Sequence, residues 1–164
     1  MNKNLSQIKS LVYDFIDYEI LDLEKEQESQ EYDACRFRLN EKSIISRSGK
    51  ITPKKVGQFV SFWERNRHGI TQPIKYISPF DYYIVNVKKE NELGQFVFPK
   101  SVLIKKGIVS SPLKEGKRGF RVYPIWDIAN NKQAQKTQEW QLDYFYSIQK
   151  PLDFNRIKRL YDSP

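Results

Sequence analysis

Leu5, Ile8, Leu11, Val12, Phe15 and Ile16 recur every three or four positions, and Asn4 or Ser6 can cap the turn before them. This spacing predicts an amphipathic helix over about residues 4–20. The acidic stretch Asp22–Glu31 has little to bury and reads as a solvated helix end or loop. The period then changes. Cys35, Phe37 and Leu39 alternate with Arg36 and Arg38, Asn40-Glu41-Lys42 turns the chain, and Ser43–Arg47 returns, which predicts a hairpin with a basic outer face.

Farther along, Thr52-Pro53 carries the signature of a helix start, an N-cap followed by proline at the first helical position. Val56, Phe59, Val60 and Trp63 would form its buried stripe, and Gly57 within it implies close approach to another backbone. Phe80–Val87 is almost continuously apolar and β-rich, as a central strand buried on both faces should be. Asn91-Glu92-Leu93-Gly94 turns it into the strand Gln95–Phe98, Pro99 ends that strand, and a short helix from Lys100 closes at Gly107. Ser110–Gly119 reads as an exposed, mobile loop and Phe120–Tyr123 as a strand. Gln133–Gln149 reads as a helix with Trp140, Tyr144 and Ile148 on one face. In the tail, Leu152, Ile157 and Leu160 can pack back, with Arg156, Lys158 and Arg159 outward. This alternation predicts an α/β (α+β) fold: one domain over residues 1–164, with a mixed, mainly antiparallel central sheet flanked by helices.

Composition narrows the chemistry. The 164 residues hold one Cys (Cys35) and one His (His68), too few for a disulfide or a four-ligand zinc site. Any Ser-His or Cys-His catalysis would have to run through His68, whose surroundings offer no such arrangement. With no signal-like segment and no apolar run long enough to span a bilayer, a cytoplasmic protein without a membrane partner is expected. The net charge of +8 is uneven: residues 1–35 hold nine acids against three lysines, a balance of −6, which leaves +14 for the remainder. Residues 42–68 and 100–121 each carry seven Lys/Arg and one acid. Such an excess favours a polyanion, and nucleic acid is the commonest one inside cells.

The phosphate-binding candidates follow from this distribution. Lys54 and Lys55 stand in the first turn of the predicted helix, against the sign of its dipole, with Lys50 and Thr52 beside them. Free N–H groups and lysines at a helix start make a phosphate site, although three solvated lysines would satisfy the same pattern. Lys114, Lys117, Arg118 and Arg121, interspersed with glycines, form a second candidate, and Lys100 heads the short helix. Tyr82, Tyr123 and Trp126, with Tyr83 and Phe120 as further rings, are candidates for stacking on exposed bases, although strand aromatics are more often core.

Four segments carry a family resemblance: Lys50-Ile51-Thr52-Pro53-Lys54-Lys55-Val56-Gly57-Gln58-Phe59-Val60, Gly94–Lys100, Gly116–Pro124 and Gln133–Gln138. Through them the chain resembles the MepB family, named for a small protein encoded beside a bacterial multidrug efflux pump and its repressor. The resemblance implies a restriction-endonuclease-like PD-(D/E)XK fold whose metal-binding triad is not kept, with a nucleic-acid-binding role in its place and a possible tie to drug response. An active nuclease of that type needs two carboxylates on Mg²⁺ and a lysine two residues after one of them. The only such spacing is Glu115-Gly116-Lys117, in a glycine-flanked loop. Asp81 is the best first carboxylate, but Gln95-Phe96-Val97 stands where acid-x-Lys is wanted. The expectation is therefore a non-catalytic, monomeric binder of RNA or single-stranded DNA, with weaker binding of duplex DNA, little sequence specificity and no cofactor. A residual Mg²⁺-dependent nuclease using Asp81, Glu115 and Lys117, and a protein-interaction adaptor using the acidic segment, are the alternatives.

Overall fold

Tyr82–Val87 is buried at every position and lies at the middle of a six-stranded sheet. The computed structural model describes residues 1–149 and 151–162. In chain order the elements are α1 (Lys3–Leu11), β1 (Ile20–Lys25), β2 (Cys35–Leu39), β3 (Lys42–Ser48), β4 (Lys50–Ile51), β5 (Gln58–Ser61), β6 (Trp63–Arg65), β7 (Thr71–Pro73) and β8 (Tyr82–Lys89). Then follow β9 (Glu92–Pro99), α2 (Lys100–Lys105), β10 (Gly119–Val122), α3 (Lys132–Leu142), β11 (Phe145–Ser147) and α4 (Phe154–Tyr161). The central sheet runs β1-β2-β3-β8-β9-β11, a second sheet runs β10-β5-β4, and β6 pairs with β7. Within the central sheet every strand pairing of the described residues is antiparallel except β3 with β8, so the expected mixed, mainly antiparallel sheet is found.

Alternation along β8 gives the central sheet two cores. Tyr82 and Ile84 face α1 and α4, where they join Leu5, Ile8, Tyr13, Ile157 and Tyr161. Tyr83, Val85 and Val87 face the other way, onto Phe62 between β5 and β6, Phe120 and Val122 from β10, and Leu103 from α2. Phe62 and Tyr83 stack with centroids 4.2 Å apart, which fixes the small-sheet side onto β8.

Six expectations change. The first helix starts at Asn2, whose side chain accepts from Leu5 N at 2.9 Å, and stops at Leu11 rather than near residue 20. A 3₁₀ turn over Tyr13–Ile16 follows and ends at Asp17 in the left-handed region, so the apolar spacing persists while the winding tightens. The acidic stretch begins as an edge strand rather than a loop, β1 pairing with β2, while residues 26–29 are a loop and Gln30–Tyr32 form a 3₁₀ turn. Its carboxylates meet the hairpin's arginines: Asp22 with Arg38 at 2.9 Å, Glu26 with Arg36 at 2.8 Å and with Arg47 at 3.0 Å. Glu28 reaches Arg65 on β6. The outer face of the β2–β3 hairpin is thus neutralised rather than basic.

The helix expected from Thr52-Pro53 does not form. Residues 52–57 are a loop, and Gln58–Ser61 and Trp63–Arg65 are strands. The local capping signal loses to a run of strand-favouring residues that pair with β10 about sixty positions later, Phe59 opposite Arg121 and Val60 opposite Phe120. The helix from residue 133 also ends early. Asn131 caps α3 by accepting from Ala134 N at 2.8 Å, but Phe145 and Tyr146 leave it to pair with Phe96 and Gln95 of β9. In the tail Ile157 and Leu160 are buried as expected, whereas Arg156 turns inward and donates to the carbonyls of Leu142 and Phe145 at 3.1 and 2.9 Å.

Candidate functional site

Three stretches of chain that are distant in sequence are tied around one cleft. Arg121 on β10 reaches across to the 52–57 loop, donating to the carbonyls of Val56 and Gly57 at 3.2 and 3.4 Å and to Thr52 Oγ1 at 2.5 Å. Gly57 makes this approach possible. Its φ is +84°, and a Cβ there would sit 2.7 Å from the Tyr123 ring. From the other side, α3 is bolted to the end of β10 by two glutamines. Gln141 donates to Arg121 O and accepts from Tyr123 N, both at 2.9 Å, and Gln138 donates to Pro124 O and Asp127 O at 2.9 Å. The residue after α2, Lys106, completes the rim.

The cleft has a volume of about 470 Å³ and is lined by Lys54, Lys55, Lys106, Lys117 and Arg121, with Tyr123 and Trp140 as aromatic wall. No Asp or Glu lines it. Among the described residues none of the four lysines forms an ion pair, while the arginines of β2, β3 and β6 are taken up by the N-terminal acids. Five cations held in a concave site without counter-charge can hold a chain of phosphates by direct contact.

The structure therefore brings together Lys54, Lys55, Lys117, Arg121 and Tyr123, and it does so by strand pairing rather than by a helix dipole. Other expected positions lie elsewhere. Lys50 is on β4, opposite Phe59 and outside the cleft lining, and Thr52 serves as an acceptor for Arg121. Lys100 donates to Ser78 O and lies 4.9 Å from the Phe80 ring centroid; desolvation pushes its pKa down, against the pull of Asp81 and Glu64. Lys114 lies along Gly107, and Arg118 donates to Thr71 O at 3.2 Å. Tyr82 is core, its hydroxyl donating to Tyr161 O at 2.8 Å. Trp126 is half-buried against Phe145, 5.8 Å away, and Tyr83 and Phe120 are buried. Tyr82, Tyr83 and Phe120 are too deeply buried to stack on bases, and Trp126 lies outside the cleft lining.

The carboxylate candidates do not assemble. Asp81 is a strand-start acceptor, taking Ser43 N at 2.8 Å, and neither it nor Glu115 lines the cleft that holds Lys117. Among the described residues no group of three His, Cys, Asp or Glu side chains is placed to hold a metal ion. Where β8 and β9 cross the middle of the sheet, the facing polar pair is two amides, Asn86 and Gln95. Gln95 is buried beneath the hydroxyls of Tyr13, Tyr146 and Tyr161.

Lys106 and Trp140 are the cleft residues that sequence reasoning missed. The sequence pattern places Trp140 with Tyr144 and Ile148 on one helix face, and Lys106 is one more cation ahead of a helix-ending glycine. A signal was present in Thr137 and Trp140, three apart on the helix that follows the glycine-rich basic loop.

Among curated proteins none matches the chain. Residues 26–147 match the model of a family described as MepB-like. A solved structure described as the crystal structure of MepB is 36% identical, with a TM-score of 0.79 over 92% of this chain and 99% of that one. A bacterial homing endonuclease is 15% identical, with a TM-score of 0.46 over 85% of this chain and 86% of that one.

Proposed function

The chain belongs to the MepB-like family, and from that premise we propose that it is a non-catalytic nucleic-acid-binding protein that holds the phosphates of a single strand in the cleft between the 52–57 loop and α3. The observation that carries this reading is the acid-free lining of five cations, in a molecule whose other clustered arginines are already neutralised. RNA and single-stranded DNA come ahead of duplex because the cleft also offers the rings of Tyr123 and Trp140, and only unpaired bases can use them. Among the described residues there is no base-reading module, so affinity should vary little with sequence. In this reading the protein acts as a cytoplasmic monomer, and any tie to drug response runs through the nucleic acid it holds.

The test is the affinity for single-stranded RNA, single-stranded DNA and duplex DNA as a function of salt. Four to five neutralised phosphates on a single strand give a log–log slope of about −3. A slope of zero, or no binding at low salt, overturns the proposal.

A further inference from the structure

The cleft does not end at Trp140. Beyond it a second hollow of about 520 Å³ opens over α3, and Lys106, Gln133, Thr137 and Trp140 line both. The Trp140 ring therefore stands on the boundary between two adjoining hollows. One side of it is fixed by the core, where the Phe98 ring lies 5.6 Å away at 52°. On the ring lies the Lys106 ammonium, 5.1 Å from its centroid. The Gln133 amide and the Thr137 hydroxyl, up to two turns earlier on the same helix, hold no side-chain hydrogen bond among the described residues.

We propose that Trp140 is the platform on which this protein stacks one unpaired nucleobase, and that Lys106 is a placeholder which the base displaces. The inference rests on the nucleic-acid reading above and adds to it the residue that distinguishes a single strand from a generic polyanion. An exposed lysine over an indole is weakly held, because the ammonium keeps most of its water. A nucleobase covers the same ring with a flat aromatic face and loses less hydration in doing so. Lys106 gains as well, since it swings from a ring face to a phosphate in a cleft that supplies it no carboxylate. A duplex cannot make this exchange without unpairing a base. The second hollow differs in charge from the first: Glu139 and Asp143 line it together with Lys136. The phosphates are thereby drawn to the Lys54–Lys117 side and the base to the Trp140 side.

The experiment compares two single-stranded ten-nucleotide oligomers with the same number of phosphates, one with bases and one fully abasic. They are tested against the full chain, against Trp140→Leu, and against a Trp63→Phe, Trp126→Phe protein in which Trp140 is the sole tryptophan. The oligomer with bases is expected to bind roughly fivefold to a hundredfold tighter than the abasic one, the span of base–aromatic stacking. It should also quench Trp140 emission, and Trp140→Leu should remove the preference while leaving the salt slope unchanged. Equal binding of the two oligomers with no change in Trp140 emission overturns the platform and leaves phosphate binding standing. Failure of both oligomers to bind at low salt overturns the function itself. Should Trp140→Leu fail to fold, the sole-tryptophan protein decides by its emission alone.

Discussion

Gln95 donates to Asn86 across the central strands at 2.8 Å, and its own carbonyl oxygen accepts from the hydroxyls of Tyr13, Tyr146 and Tyr161. A single amide thus satisfies three buried phenols and locks β11, α4 and the 3₁₀ turn that follows α1 to one point of the sheet. Gln95→Leu keeps the volume but strands those hydroxyls, and should cost about 2–4 kcal/mol in urea unfolding. Gln95→Glu should be nearly tolerated at pH 4 and increasingly destabilised toward pH 7. Burial raises the folded-state pKa of the introduced carboxyl above its unfolded value, so the penalty appears as the unfolded chain releases its proton.

The same tyrosines predict alkaline behaviour. Burial pushes Tyr13, Tyr83, Tyr146 and Tyr161 well above the usual value of 10, and Tyr82 up to about 12. A raised folded-state pKa keeps its stabilising contribution below pH 10 and loses it as pH climbs toward the folded-state value. Absorbance at the phenolate band should show these five of the ten tyrosines silent until the protein unfolds cooperatively above pH 10. Smooth titration of all ten in the folded state would contradict the packing.

Lys54→Glu with Lys55→Glu should weaken oligonucleotide binding about tenfold or more at low salt, by a similar factor for every sequence, because phosphate contacts carry no base information. The matched control is Lys50→Glu with Arg118→Glu. It changes the net charge equally but lies outside the cleft lining, and it should weaken binding far less. Equal losses would mean that the overall field, rather than the cleft, holds the ligand.

Gly57→Ala introduces a side chain where φ is +84° and the Tyr123 ring is 2.7 Å away. A loss of about 1–3 kcal/mol in stability is expected. Affinity for single strands should fall with it, since Tyr123 and the Arg121 clasp must shift together.

Glu26→Gln leaves Arg47, 2% exposed, without its charge partner. The cost should be about 2–4 kcal/mol by thermal or urea unfolding, because the guanidinium remains buried. Oligonucleotide affinity measured below the unfolding range should be unchanged, since neither residue lines the cleft.

What the sequence made legible was whatever its local period determines. The β2–β3 and β8–β9 hairpins follow from alternation and turn residues only a few positions apart. The short helix before Gly107 is marked at both ends. The helix expected at Thr52-Pro53 failed for the opposite reason: the groups that decide that segment, Arg121 and the β10 backbone, lie some seventy residues away, where no local cap can register them. The site was legible in part. Lys54, Lys55, Lys117 and Arg121 were picked out by charge, but only strand pairing explains why they share a cleft. The acid-rich start and basic remainder read as two regions of opposite charge, yet Asp22, Glu26 and Glu28 meet arginines, and among the described residues the four cleft lysines form no ion pair. Trp140 was hidden because a tryptophan on an amphipathic helix reads as core until the element facing it is known.

The parallel pairing of β3 with β8 has a consequence for biosynthesis. Ile44 finds its partner Tyr82 only after the whole intervening excursion, with β4 to β7, has been made, and Phe96 must wait for Phe145. The ribosome therefore releases most of this chain before the central sheet can close. Such distant pairings slow folding to the millisecond-to-second range, and until then the Tyr82–Val87 strand is exposed to chaperones and to other nascent copies of itself.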